Sequence, residues 1–231
     1  MNLDGIAYKP APLVSLRNIS KGWQAGRKRI AVLHNVSLDI HAGESVAIVG
    51  PSGAGKSTLL HILALLTPAD EGYVAFGDQR IDSSQGWWDL GLRQNIGMIF
   101  QDAKLLPNLS VLQNVCVPLV HRGIWPARQH LLARHVLEAV GLGHRLDHKP
   151  NQLSGGELMR TAIARALVTQ PRLLLADEPT GTLDSKTGAK IAELLFSTVT
   201  SQRALVIVTH HLPLASQADR QIVLEDGCIA N

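Results

Sequence analysis

The stretch Gly50-Pro51-Ser52-Gly53-Ala54-Gly55-Lys56-Ser57-Thr58 decides how the rest of this chain is read. It fits the pattern G-x-x-x-x-G-K-[ST] at every fixed position. Ser45-Val46-Ala47-Ile48-Val49, just before it, is a short apolar, β-branched run that predicts a buried strand. Thr58–Leu66, just after it, predicts a buried helix stopped by Thr67-Pro68. Strand, glycine loop and helix in that order are the context the pattern requires. The residue types suit a polyphosphate. Glycines let successive N–H groups curl inward around an anion. The following helix adds unpaired N–H groups and the positive end of its dipole. Lys56 can reach the β- and γ-phosphates as a compact charge, and Ser57 can offer its hydroxyl to Mg²⁺.

Composition narrows the class. The chain has 231 residues, 45% of them hydrophobic, which suits a packed globular protein rather than a disordered one. A net charge of +3, with scattered basic residues, gives no footprint for nucleic acid. Cys116 and Cys228 have neither metal nor redox spacing, which favours a reducing compartment. Met1–Pro12 lacks the apolar core of a secretory signal, and no run approaches the ~18 apolar residues of a membrane span. A soluble protein is expected, with any membrane association made through a partner.

Outward from the loop, Leu13–Ile19 alternates like a half-buried strand, and Arg29–Ile40 predicts one or two more. Gly72–Phe76 predicts another, ended by Gly77-Asp78. These early strands are expected to form a partly antiparallel sheet beside the parallel one. Asp82–Gly91 reads as a polar loop in which Trp87 and Trp88 serve packing. Ile96–Phe100 is a core strand that ends at Gln101. From Gln101 to about Leu167 the character becomes helical. Ser110 opens one helix, and Ala127–Val140 carries Leu131, Leu132, Val136, Leu137 and Val140 on roughly one face. Leu173–Ala176, Ala204–Val208 and Gln221–Leu224 are further strands, and Gly188–Val199 is helical.

Two more features carry chemistry. Leu173-Leu174-Leu175-Ala176-Asp177-Glu178 is an apolar strand ending in two carboxylates. Beside a phosphate loop, Asp177 would hold the Mg²⁺ shell and Glu178 would orient and polarise the attacking water. Leu153-Ser154-Gly155-Gly156-Glu157 precedes a helical run over Leu158–Leu167. Ser154 is a natural N-cap and Glu157 completes a capping box. A capped helix start with two glycines is also an anion site, though nothing local shows which phosphate it binds.

Together these residues resemble the ATP-binding-cassette ATPases over roughly Leu13 to Ile229. The Gly50–Thr58 loop matches, as does the family signature at Leu153–Glu157, whose usual form has glutamine in place of Glu157. Asp177 and Glu178 match the Walker-B strand, followed by Pro179-Thr180-Gly181. Thr182-Leu183-Asp184 matches the D-loop, Gln101 the Q-loop and His210 the switch histidine. Trp23, 33 positions before Lys56, stands where the family places an aromatic that stacks on adenine. Read alone, Gln101 is an ordinary loop residue, His210 an ordinary histidine and Trp23 a packing residue.

The resemblance implies an α/β fold: a P-loop NTPase core with an N-terminal antiparallel β subdomain and an inserted helical signature subdomain. It implies a single nucleotide-binding domain over 1–231, with core at about 13–100 and 168–231 and the signature subdomain at about 101–167. It implies that two copies associate head to tail. ATP and Mg²⁺ would lie between the Gly50–Thr58 loop and Trp23 of one copy and the Ser154–Gly156 segment of the other. Gln101 and His210 would sense Mg²⁺ and the γ-phosphate, Asp184 would communicate across the pair, and hydrolysis at Glu178 would reopen it. Gln101–Val111 and Leu175–Gly181 look like the ATPases for lipoprotein release, macrolide export and cell division. Such a chain would bind an integral membrane permease subunit at the cytoplasmic face of the inner membrane, without nucleic acid. Leu105 and Leu106 would line the groove that receives it. Leu158-Met159-Arg160, His211 and Thr182 depart from common family forms and bear on the partner rather than on the chemistry. The competing readings are a soluble cassette ATPase acting on DNA or ribosomes, and a slowly hydrolysing scaffold switch.

Overall fold

The computed structural model describes residues 11–26, 28–82 and 90–230. Trp87 and Trp88, and most of the N-terminal stretch, lie outside them. Chain order runs β1 (Val14–Ala25), β2 (Lys28–Ile40), β3 (Ser45–Val49), α1 (Lys56–Leu63), β4 (Glu71–Phe76), β5 (Gln79–Asp82), α2 (Leu90–Arg93), β6 (Ile96–Ile99), α3 (Val111–His121) and α4 (Pro126–Ala139). It continues with α5 (Gly155–Leu167), β7 (Leu173–Asp177), α6 (Ser185–Ser197), β8 (Ala204–Val208), α7 (Leu212–Ala215), β9 (Arg220–Glu225) and β10 (Cys228–Ile229).

Two sheets divide the strands. The six-stranded sheet has the order β10-β9-β3-β8-β7-β6, parallel from β9 to β6, with β10 antiparallel at one edge. β3 and β8 are buried at every position, as the continuous apolar runs of a sheet covered on both faces require. The second sheet is antiparallel throughout, in the order β2-β1-β4-β5. The expected pairing of an antiparallel sheet with a parallel core is therefore present.

Several elements differ from the sequence reading. Arg29–Ile40 is a single strand, and three register irregularities along its pairing with β1 account for its uneven alternation. β5 was not expected, because Gly77-Asp78 is a hairpin turn rather than a strand end; Phe76 pairs directly with Gln79. In α4 the buried residues are Gln129, Ala133 and Leu137, while Leu131 is 69% exposed and so leaves the predicted apolar face. α6 starts at Ser185, three residues before Gly188, because Asp184 caps it.

Three apolar clusters underlie this arrangement. One joins the antiparallel sheet, α1 and one face of the parallel sheet through residues such as Leu16, Ile40, Leu60 and Val206. A second packs α5 and α6 on the opposite face through Ile163, Leu174, Ile191 and Leu205. The third belongs to the helical segment and holds Val115, Leu119, Leu137, Ala164 and Val168. α5 contributes to the second and third, so it ties the helical segment to the sheet.

Candidate functional site

The phosphate loop is set between β3 and α1. Gly55 is the N-cap of α1 with φ 97°, and a Cβ there would lie 2.8 Å from the Val32 carbonyl oxygen. At Gly50 a Cβ would lie 2.0 Å from the Leu224 carbonyl oxygen, so β9 packs where only glycine fits. Ala54 is buried and donates its N–H to Pro51 O at 3.3 Å, closing the turn. Lys56 Nζ donates to Gly50 O at 2.9 Å and Pro51 O at 2.8 Å, lying back across the loop. Ser52, Gly53, Gly55, Lys56, Ser57 and Thr58 line a cavity of about 350 Å³ that also touches Val32, Glu178 and Val208.

The carboxylates arrive from β7. Ser57 Oγ donates to Asp177 Oδ1 at 3.3 Å, which joins loop and strand across the sheet. Burial pushes the Asp177 carboxyl above the usual carboxylate range. Glu178, one residue on, takes φ 45°, in the left-handed region. Such a backbone costs on the order of 1–3 kcal/mol and is held by its surroundings. Glu178 N–H donates to Val208 O at 2.9 Å, and Glu178 O accepts from Gly181 N–H at 3.1 Å. Its side chain is held as firmly. Oε1 accepts from His210 N–H at 3.0 Å and lies 2.6 Å from His210 Nδ1, while Thr209 Oγ1 donates to Oε2 at 3.2 Å. A Cβ added at Gly181 would lie 3.4 Å from Gln101 Nε2 and 3.7 Å from Glu178 Cβ, which places Gln101 at the same turn.

Trp23 reaches the loop from β1. Its Nε1 lies 3.5 Å from Thr58 Oγ1, and Lys21 Nζ is 5.0 Å from its ring centroid. Asp70 supports this bend, accepting from Lys21 Nζ at 2.8 Å, Gly22 N–H at 2.8 Å and Arg29 Nη2 at 2.5 Å. Trp23 is 45% exposed, which leaves part of it accessible to a planar partner.

The Ser154–Gly156 segment is elsewhere. Ser154 caps α5, and Glu157 completes the capping box as its spacing predicted. A Cβ at Gly155 would meet Leu183 Cδ2 at 3.0 Å, and one at Gly156 would meet Thr187 Cγ2 at 2.6 Å. The segment therefore lies against the turn that leads into α6, not in the phosphate cavity. Asp184 caps α6, accepting from Lys186 N–H at 3.1 Å and Thr187 N–H at 3.0 Å; bonds from the Thr187 side chain and backbone hold its carboxyl below the usual range. With His210 and Leu183 it lines a second cavity of about 460 Å³. Of the residues singled out from the sequence, the structure thus brings together the loop, Trp23, Gln101, Asp177, Glu178 and His210, and leaves Ser154–Gly156 apart from them within one chain. The sequence reading missed Thr209 and Asp70. Only Thr209, adjacent to His210, had a local signal.

Known proteins resemble this chain in sequence and fold. Residues 33–181 match the ABC transporter family. The chain is 47% identical over 220 residues to a lipoprotein-releasing system ATP-binding protein LolD of Pseudomonas syringae pv. tomato, covering 93% of this chain and 96% of that protein. It is 46% identical to the protein of the same name from Myxococcus xanthus, covering 93% and 97%. A dimeric structure of a post-hydrolysis state of the ATP-binding cassette MJ0796, bound to ADP and Pi, superposes with a TM-score of 0.83 at 38% identity, covering 94% of this chain and 97% of that one. A dimeric structure of MJ0796 described as a bacterial ABC transporter cassette superposes equally well. The chain belongs to the ABC transporter family, as an ATP-binding, ATP-hydrolysing cassette.

Proposed function

We propose that this chain is the ATPase subunit of a lipoprotein-releasing complex, working as a head-to-tail pair on a membrane subunit. The relatives named LolD support the assignment, with 43–47% identity over nearly their whole length. They favour it over a soluble ATPase acting on DNA or ribosomes. The observation that carries the mechanism is the Glu178 carboxylate, held at the rim of the phosphate cavity by His210 and Thr209.

ATP would lie with its phosphates in the Gly50–Thr58 loop and its adenine against Trp23. Asp177 and Ser57 fit Mg²⁺, because they offer hard oxygen donors 3.3 Å apart. Among the described residues no cluster of three or more His, Cys, Asp or Glu forms a closed metal cage, which suits an ion shared with phosphates and waters. When bound, Mg²⁺ would neutralise charge on the β- and γ-phosphates, with Gln101 as a further oxygen ligand. Glu178 orients a water in line with the γ-phosphorus and receives its proton as the bond to the ADP oxygen breaks. His210, on the same carboxylate, senses whether the γ-phosphate is present.

The Ser154–Gly156 segment is absent from the cavity lining of its own chain. A second copy would supply it, and Asp184 would carry the state of one site to the other. The segment over 101–167, with its own apolar cluster, would move as the signature subdomain against a core formed by 13–100 and 168–231. A groove of about 580 Å³ lined by Leu66, Met98, Phe100, Leu106 and Pro118 would receive the membrane subunit at the cytoplasmic face of the inner membrane. No helix among the described residues is long and apolar enough to cross a membrane, in keeping with peripheral attachment. Tagged protein extracted from membranes in mild detergent should co-purify with a subunit of few spanning helices and a large extracytoplasmic domain. Recovery with soluble proteins or nucleic acid alone would overturn the membrane role and leave the ATPase assignment standing.

A further inference from the structure

Glu157 places a carboxylate at the start of α5, where an incoming phosphate has to be received. Three donors converge on it. Ser154 N–H and Ser154 Oγ each donate to Oε2 at 2.9 Å, and Arg145 Nε donates to Oε1 at 2.9 Å. The Ser154 backbone N–H leads in holding the Glu157 pKa down to about 2, with the serine hydroxyl and Arg145 adding to it, so the group is an anion at neutral pH. Its side chain is 12% exposed, and it is held in place by these donors. An ionised carboxylate also accepts only. It therefore draws the Ser154 hydroxyl proton toward itself and away from any ligand. Glutamine would satisfy the same backbone N–H through its carbonyl and bring no charge.

We propose that Arg145 is a positioning residue for ATP-driven closure: it neutralises Glu157 and turns its Oε1 away from the face that meets the partner's nucleotide. The inference rests on the two-chain reading above. Arg145 is well placed for this task. It stands in the turn between α4 and α5, where Arg145 N–H donates to Leu142 O and His148 N–H to Arg145 O. That turn is fastened to α3 through backbone bonds, Val111 N–H to His148 O and Leu112 N–H to Leu146 O, and these do not involve the guanidinium. Arg145 Nη1 also meets His148 Nε2 at 3.1 Å. Because arginine has no acceptor, the imidazole nitrogen accepts there, which orients the fork toward Glu157.

The test uses the full chain carrying Glu178→Gln, with ATP-dependent dimerisation followed by light scattering after gel filtration. Glu178→Gln alone should dimerise with ATP; a failure here overturns the two-chain reading itself. Adding Arg145→Ala should raise the ATP needed for half-maximal dimer about fivefold, the scale of one lost close charge pair. Adding Glu157→Gln as well should return the requirement to within about twofold of the Glu178→Gln protein. Arg145→Lys should also restore it, because charge rather than shape is at stake. An Arg145→Ala effect of equal size with glutamate or glutamine at position 157 overturns the proposal, as does no effect. Should Arg145→Ala fail to fold, Arg145→Gln and Arg145→Lys are compared in its place, and equal ATP requirements for the two overturn it.

Discussion

Glu178 sits on a strained backbone, and its side chain is occupied on both oxygens by Thr209 and His210. A carboxylate so restrained can hold a water in one direction, which is the property in-line attack on a phosphate requires. Glu178→Gln keeps the size and most of the hydrogen bonds but cannot take a proton. Steady-state ATP turnover should fall about 100-fold or more, while ATP binding persists and dimers accumulate. Turnover at the wild-type rate would refute the assignment. Lys56 tests the other half of the site. Its ammonium has only carbonyl oxygens for partners within the loop and is ready to exchange them for phosphate. Lys56→Ala should weaken ATP binding roughly ten- to hundredfold in calorimetry, the value of a charged hydrogen-bonding contact. Unchanged affinity would contradict the loop assignment.

At the scale of elements, the decisive link is one that sequence spacing does not reveal. Asn114 in α3 is fully buried, and its amide fastens the segment that leads from Gln101 into that helix. Oδ1 accepts from Leu106 N–H at 2.7 Å, and Nδ2 lies within 3.0–3.1 Å of the carbonyl oxygens of Leu106, Leu109 and Ser110. Asn114→Ala strands these buried groups. It should lower unfolding free energy by about 2–4 kcal/mol in denaturant titration. Because Leu106 lines the groove assigned to the membrane subunit, complex recovery should fall further than ATP binding. A stability change under 1 kcal/mol would show that the segment is held by other means. Asn114 also marks where the sequence stops being legible. Gly50–Thr58, the Ser154–Glu157 box and the Asp177-Glu178 strand end are readable because their determinants are a few residues apart. Asn114 looks like any polar helix residue, and Asp70 like any loop acid. Asn114 acts on carbonyls and an N–H only 4–8 residues before it, but no residue pattern marks that turn, whereas Asp70 gains its importance from partners brought by folding, 48 residues away in the pairing of Gly22 with Asp70. β5 escaped for a related reason: Gln79-Arg80-Ile81-Asp82 is too polar to announce a strand, and its order comes from pairing with β4.

For the whole molecule, what matters is that one chain keeps the two segments proposed to bind phosphate apart. The Gly50–Thr58 loop opens on the cavity with Glu178, while Ser154–Gly156 packs against Leu183 and Thr187 beside α6. If both ends serve the same nucleotide, they must come from different copies, and that can be tested by mixing two dead proteins. Lys56→Ala disables the loop and spares the α5 start. Gly155→Asp does the reverse by placing a second carboxylate at the proposed phosphate contact, with only the movable Leu183 side chain nearby. Each protein alone has no intact site. In a mixed pair, one site joins two defective halves and the other joins two sound ones. An equal mixture forms about half mixed pairs, so roughly a quarter of all sites should be restored if pairing is random across the two-fold interface. The readout is retained labelled ATP, with Glu178→Gln in both proteins so that each closed site keeps its nucleotide. Retention near that level means that the site is shared between copies. Retention no higher than in either protein alone means that each chain completes its own site, and the head-to-tail arrangement would have to be abandoned.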